Sequence, residues 1–177
     1  LDNVTGNIAI TENKGSNLIL TDTNIYATLN NADMTLISGS ANIASGEGNS
    51  YVTENGGTLN YLANDDMNTT FTINDGDANL TYNKGYTATT IDMSGTTDVN
   101  ITGFSISNGL LVIKGFSGKT SDITITGHGD NTLLSYGKSE IDLVGISSSD
   151  IHLLSSIDGK NVSDSYGSGA IMIGLTK

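Results

Sequence analysis

Cysteine, proline, tryptophan and arginine are absent from this chain of 177 residues. Without a thiol there is no cysteine nucleophile, no thiolate zinc site and no disulfide, so redox control is closed as well. Basic charge is scarce: 7 residues, all Lys, stand against 19 acidic ones, for a net charge of -12 and a pI near 4.1. Nucleic-acid binding needs a basic face that displaces counterions from phosphates, and this chain offers none. Long apolar runs are missing too. The longest, LLVI at 110–113 and AIMI at 170–173, fall far short of the roughly 20 residues that span a bilayer as a helix. The chain opens at Leu1 with no basic, apolar leader after it, so we expect a mature form or an excised fragment.

What is abundant is small and polar. Gly (22), Thr (23), Ser (20) and Asn (20) make up nearly half of the residues, a composition of strands and turns. An acidic, thiol-free chain of this kind is expected of an extracellular, secreted bacterial protein kept soluble by charge of one sign. The apolar fraction of 36% is low for a compact domain yet too regularly placed for disorder.

Apolar residues alternate with polar ones in short segments: NIAIT at 7–11, NLILT at 17–21, NIYATL at 24–29, MTLIS at 34–38, ANIAS at 41–45, SYVT at 50–53 and TLNYL at 58–62. The series continues with TTFTI at 69–73, ANLTY at 78–82, TATTI at 87–91 and TDVNI at 97–101. A strand therefore recurs about every 9 residues. Turn signals separate them: Asn-Lys-Gly at 13–15 and 83–85, Asn-Gly at 55–56 and Asp-Gly at 75–76. Such a rhythm suits a meandering sandwich or a solenoid. The constant step, the Gly/Asn turns, the scarcity of aromatics (6%) and an echo of 8–18 in 79–89 favour the solenoid. We expect an all-β, single-domain parallel β-solenoid with about 18 residues per coil, hence roughly ten coils and a rod of about 45 to 50 Å. Residues 1–108 read as regular coils, 109–155 as more apolar C-terminal coils and 156–177 as a terminal strand or tail.

Within the C-terminal part, a Gly-Phe at 115–116, DITIT at 122–126, GDNTL at 129–133 and EIDLVGI at 140–146 follow one another. This stretch, 114–151, resembles the segment that closes the repeats of RTX (hemolysin-type) proteins, which leave bacteria by type I secretion. The resemblance implies a parallel β-roll, an extracellular location and folding that depends on calcium. The family's repeat, GGxGxDxUx, places an Asp carboxylate and loop carbonyls around the cation. Here Ser50 and Asn131 stand at the Asp position of the best approximations, so calcium is expected at isolated sites at most. The candidates are Asp75 with Asp77, Asp65 with Asp66, and Asp130. Each serves equally as a turn residue that bonds its own backbone.

Enzyme signatures fare worse. Asp65-Asp66 and Gly127-His128-Gly129 are similar to polygalacturonase motifs, but they stand too far apart and lack that family's Arg-x-Lys. The seven Lys form no cluster to hold a uronate. No nucleophile elbow accompanies His128 or His152, and alternation in DIHLL makes His152 a solvated strand residue. The five Asn-x-Ser/Thr matches, at Asn3, Asn68, Asn79, Asn100 and Asn161, are what an Asn- and Thr-rich chain produces by chance. Thr-rich strands at 69–72, 87–90 and 124–126 lack the regular Thr-x-Thr ladder of an ice-binding face, and are expected to place Thr on a solvated surface. No enzyme is expected and no cofactor beyond calcium. The expected function is structural: a self-assembling unit of a filament, biofilm matrix, surface layer or adhesin. The expected partner is another copy, pairing through 7–11 or 170–174, or neighbouring coils of a longer parent chain; a folding and secretion module of a larger exported toxin or hydrolase is the alternative.

Overall fold

Period-two alternation becomes a stack of short strands wound about one axis. The computed structural model describes residues 1–4, 8–12, 15–46, 48–63, 68–83, 86–116, 119–157 and 159–176. The wound part contains β1 (Ile8–Glu12), β2 (Asn17–Leu20), β3 (Thr23–Leu29), β4 (Asp33–Leu36), β5 (Gly39–Ser45), β6 (Ser50–Ala63), β7 (Thr69–Tyr82), β8 (Thr87–Asp92), β9 (Thr97–Thr102) and β10 (Gly109–Lys114). After it come β11 (Thr124–His128), β12 (Asn131–Tyr136), β13 (Ser139–Val144), β14 (Ile151–Leu154), β15 (Ser156–Ile157), β16 (Lys160–Asn161), the short helix α1 (Val162–Tyr166) and β17 (Ile171–Leu175).

Each coil contributes one strand to a leading face and the next strand to a trailing face. On the leading face β2, β4, the first half of β6, the first half of β7, β8 and β10 pair in parallel order. On the trailing face the order is β1, β3, β5, the second halves of β6 and β7, β9 and then β13, again all parallel. The protein is thus a β-solenoid whose coils lie about 19 residues apart. Side chains alternate in and out, as in the BeBeBiB burial of β3, because successive residues of a strand point to opposite faces. Parallel register then stacks like on like: Ile25, Ala41, Leu59, Ala78, Val99 and Ile141 form one inward column, and all six are buried. Small Ala rungs keep the two faces close, which is how a chain only 36% apolar closes a continuous core.

Asn-Gly at 55–56 and Asp-Gly at 75–76 do not end strands as the sequence suggested. They lie inside the 14-residue strands β6 and β7, at the corner where each passes from the leading to the trailing face. Glycine is required at that corner. Gly39, Gly57 and Gly76 have φ of +95°, +98° and +102°, and a Cβ on Gly57 or Gly76 would lie 2.5 or 2.8 Å from the carbonyl oxygen of the previous glycine in the column.

Threonine also departs from expectation. Thr70, Thr72 and Thr90 face outward, but Thr69, Thr87 and Thr89 are buried. Two of these are paired by core tyrosines, Tyr61 Oη with Thr69 Oγ1 at 2.7 Å and Tyr82 Oη with Thr89 Oγ1, while the Thr87 hydroxyl has no partner among the described residues. Tyr61 also meets Phe71 edge to face, with ring centroids 4.6 Å apart. On the leading face Thr35, Thr53, Thr72 and Thr90 do stack in register on four successive rungs, a single column beside the protruding Tyr51.

The expected ten coils are corrected to about five turns. Within 109–155 only β10 and β13 pair parallel with the coils. Beyond β13 the chain doubles back: β12 pairs antiparallel with β13, and β11 antiparallel with β12. On the leading face β17 lies antiparallel against β10, and β14 antiparallel against β17. The terminal apolar strand, 170–174, is therefore no free edge; it sits between two neighbours. Helix α1, which the sequence reading did not anticipate, brings Val162 over Val112 and Ala170 to form a small second core. Ser148–Asp150 forms a 3-10 turn, and the hydroxyl of its N-cap Ser147 accepts from Ser149 N–H.

Candidate functional site

A depression lies on the outward side of the trailing face, a groove of about 590 Å³ lined by Tyr26, Asn42, Asn60, Asn79, Leu62 and Thr81 among others. Its floor is an asparagine ladder. Asn60 Nδ2 donates to Asn42 Oδ1 at 3.1 Å, Asn79 Nδ2 to Asn60 Oδ1 at 2.9 Å, and Asn100 Nδ2 to Asn79 Oδ1 at 3.2 Å. Asn42 closes the row by donating to the carbonyl of Ile25 at 3.4 Å. An amide is both donor and acceptor, so identical rungs satisfy one another and leave one N–H and one lone pair each for solvent or ligand. Rung spacings of 18, 19 and 21 residues hide this ladder from any search at fixed period. The visible signal is an Asn immediately after an inward apolar residue, as at Ala41-Asn42, Leu59-Asn60, Ala78-Asn79 and Val99-Asn100.

Beside the ladder runs a column of charge. Asp77, Asp98 and Glu140 face each other in register, all exposed. Asp142 stacks on Asn100, and its Oδ1 lies 3.3 Å from Nε2 of His128. Stacked carboxylates repel, and hydration and salt reduce that cost.

The corner between the faces holds the least expected group. Glu54 points inward and is wholly buried, and among the described residues neither carboxyl oxygen has a partner at hydrogen-bonding geometry. Burial above all, then the negative charges of Asp77 and Asp75, push its pKa up to about 9, against a weak opposing influence from the Leu59 N–H. At neutral pH it is a protonated, uncharged acid. Sequence reasoning passed over Glu54 because SYVTENGG looks like a strand running into an exposed turn.

The candidate calcium ligands separate. Asp75 Oδ1 accepts from Gly76 N–H at 3.1 Å and from Thr96 N–H at 3.3 Å, which is the turn-capping role. Asp77 is an exposed rung of the acidic column. Asp130 is exposed in the turn between β11 and β12, on a different part of the fold. Asp65 and Asp66 lie outside the described residues. Among the described residues no three His, Asp or Glu side chains converge on a point that could hold a metal ion. A chelator is accordingly expected to shift thermal unfolding by less than about 2 °C, the mass-action loss of one weak site at most. Circular dichroism melts with and without EDTA check this; collapse of the β signal would restore the calcium-dependent reading. His152 is exposed and meets Thr176 Oγ1 at 2.8 Å.

No family model and no curated protein matches the chain.

Proposed function

We propose that the protein is a non-enzymatic, extracellular structural unit that assembles through the ends of its solenoid, as in a filament, biofilm matrix, surface layer or adhesin. The observation that carries this reading is the state of the terminal strands. Among the described residues β1 pairs only with β3 at one end and β11 only with β12 at the other, which leaves a row of backbone donors and acceptors open at each. Proline, Lys-rich edges and covering helices are the usual means of blunting such rows, and the chain has no proline and 7 Lys in all. The net charge of -12 opposes association over about 8 to 10 Å at physiological ionic strength. Salt should therefore promote assembly. Light scattering and negative-stain microscopy between low and high salt are expected to show growth of elongated particles; a strict monomer under every condition would overturn the assembly reading.

A further inference from the structure

We infer that copies of this chain stack head to tail, β11 and β14 of one copy meeting β1 and the N-terminal residues of the next. The inference rests on the assembly reading above and adds its polarity. Two antiparallel steps restore the original direction: β11 is antiparallel to β12, which is antiparallel to β13, and β13 is parallel to the coils. The same double reversal takes the leading face from β10 through β17 to β14. Both faces thus end on a strand running the way the coils run. A continuing parallel layer can pair there without a change of direction.

The opposite end presents the matching layer. On the trailing face it is β1. On the leading face Leu1 and Asn3 bond to the 19–21 segment, with Asp2 bridging Thr21 in parallel. The core also points across the junction. The inward column that passes Val99 and Ile141 continues through Leu134 to Ile125. Leu134 is fully buried, whereas Ile125 is 36% exposed, and every residue of β11 is exposed on both sides of the strand. At the other end the backbone register sets Ile8 opposite Ile25 of that column. Placing Ile125 over Ile8 of the next copy continues the strand register across the junction. Because a translation along the axis does not close on itself, such a contact builds an open filament and not a dimer.

This register sets Thr126 beside Ala9 of the neighbour. The chain has no cysteine, so Ala9→Cys and Thr126→Cys report the junction without background. Under mild oxidation at the salt concentration that gives most scattering, a mixture of the two single variants is expected to yield at least tenfold more covalent dimer than either alone. The double variant is expected to give a ladder of oligomers. Dimers of Ala9→Cys by itself would mean head-to-head pairing and overturn the polarity while leaving assembly standing. Absence of cross-links in every mixture overturns the polarity too. Scattering by the same samples then decides assembly itself: monomers throughout would overturn the proposed function as well.

Discussion

Glu54→Gln is expected to stabilise the fold by about 3 kcal/mol at pH 7 and to change it little at pH 4. The carboxyl ionises near 4.5 in the unfolded chain and near 9 in the folded one, owing first to burial and then to Asp77 and Asp75. Between those values the folded state holds a proton that the unfolded state has released. Stability of the wild type therefore falls as pH rises through that window, by about 1.4 kcal/mol per unit, and levels off above the upper value. Glutamine keeps the size and the polar burial but has no proton to retain, so the slope attributable to residue 54 should vanish. Urea titrations of both proteins at pH 4, 5.5, 7 and 8.5 measure it. Equal slopes would mean that Glu54 is hydrated or ionised in the folded protein. The prediction also explains why the corner tolerates three carboxyls in neighbouring positions: the innermost is uncharged.

The second large effect concerns the strand that the sequence presented as a free end. Ile171→Pro is expected to cost about 3 kcal/mol or more, enough to unfold the C-terminal layers or the whole chain. Ile171 is buried and faces Ile113 of β10, while the rest of its strand pairs with β14. Proline there removes a donor and a large apolar side chain from a strand flanked on both sides. Ile8→Pro tests the contrast. Among the described residues β1 has a neighbour on one side only, so the variant should remain folded, with a denaturation midpoint close to that of the wild type, and should lose the ability to assemble. If the two variants were equally stable, the placement of β17 inside the stack would be wrong.

Strand existence was legible because it is local. TTFTI at 69–73 and TLNYL at 58–62 alternate with period two whatever lies beside them, and they became the halves of β7 and β6. The solenoid followed from the regular step, since repeated short strands with Gly/Asn turns have few other ways to bury one face each. Alternation is blind to direction, however. DITIT, TLLSY and EIDLV at 122–126, 132–136 and 140–144 look the same whether they wind on or double back. The only local sign of reversal was a two-residue Gly-Asp link at 129–130 and a Gly-Lys link at 137–138, with φ of +63° and +62° at the two glycines, the kind of turn that joins hairpin strands.

By itself, then, the sequence determined that this protein is built of short half-buried strands, that it repeats, that it is strongly acidic, and that it has no thiol. Tertiary structure alone decided which residues meet across coils. Ladder asparagines stand 18 to 21 residues apart, and the coil length drifts, so their stacking follows from hydrogen-bonded register and not from any fixed spacing. The burial of Glu54, the inward turn of Thr69, Thr87 and Thr89, and the restored direction of β11 have the same origin. Each depends on what the chain places against a strand from far away in sequence, and pairing between strands is where the free energy that selects a register resides.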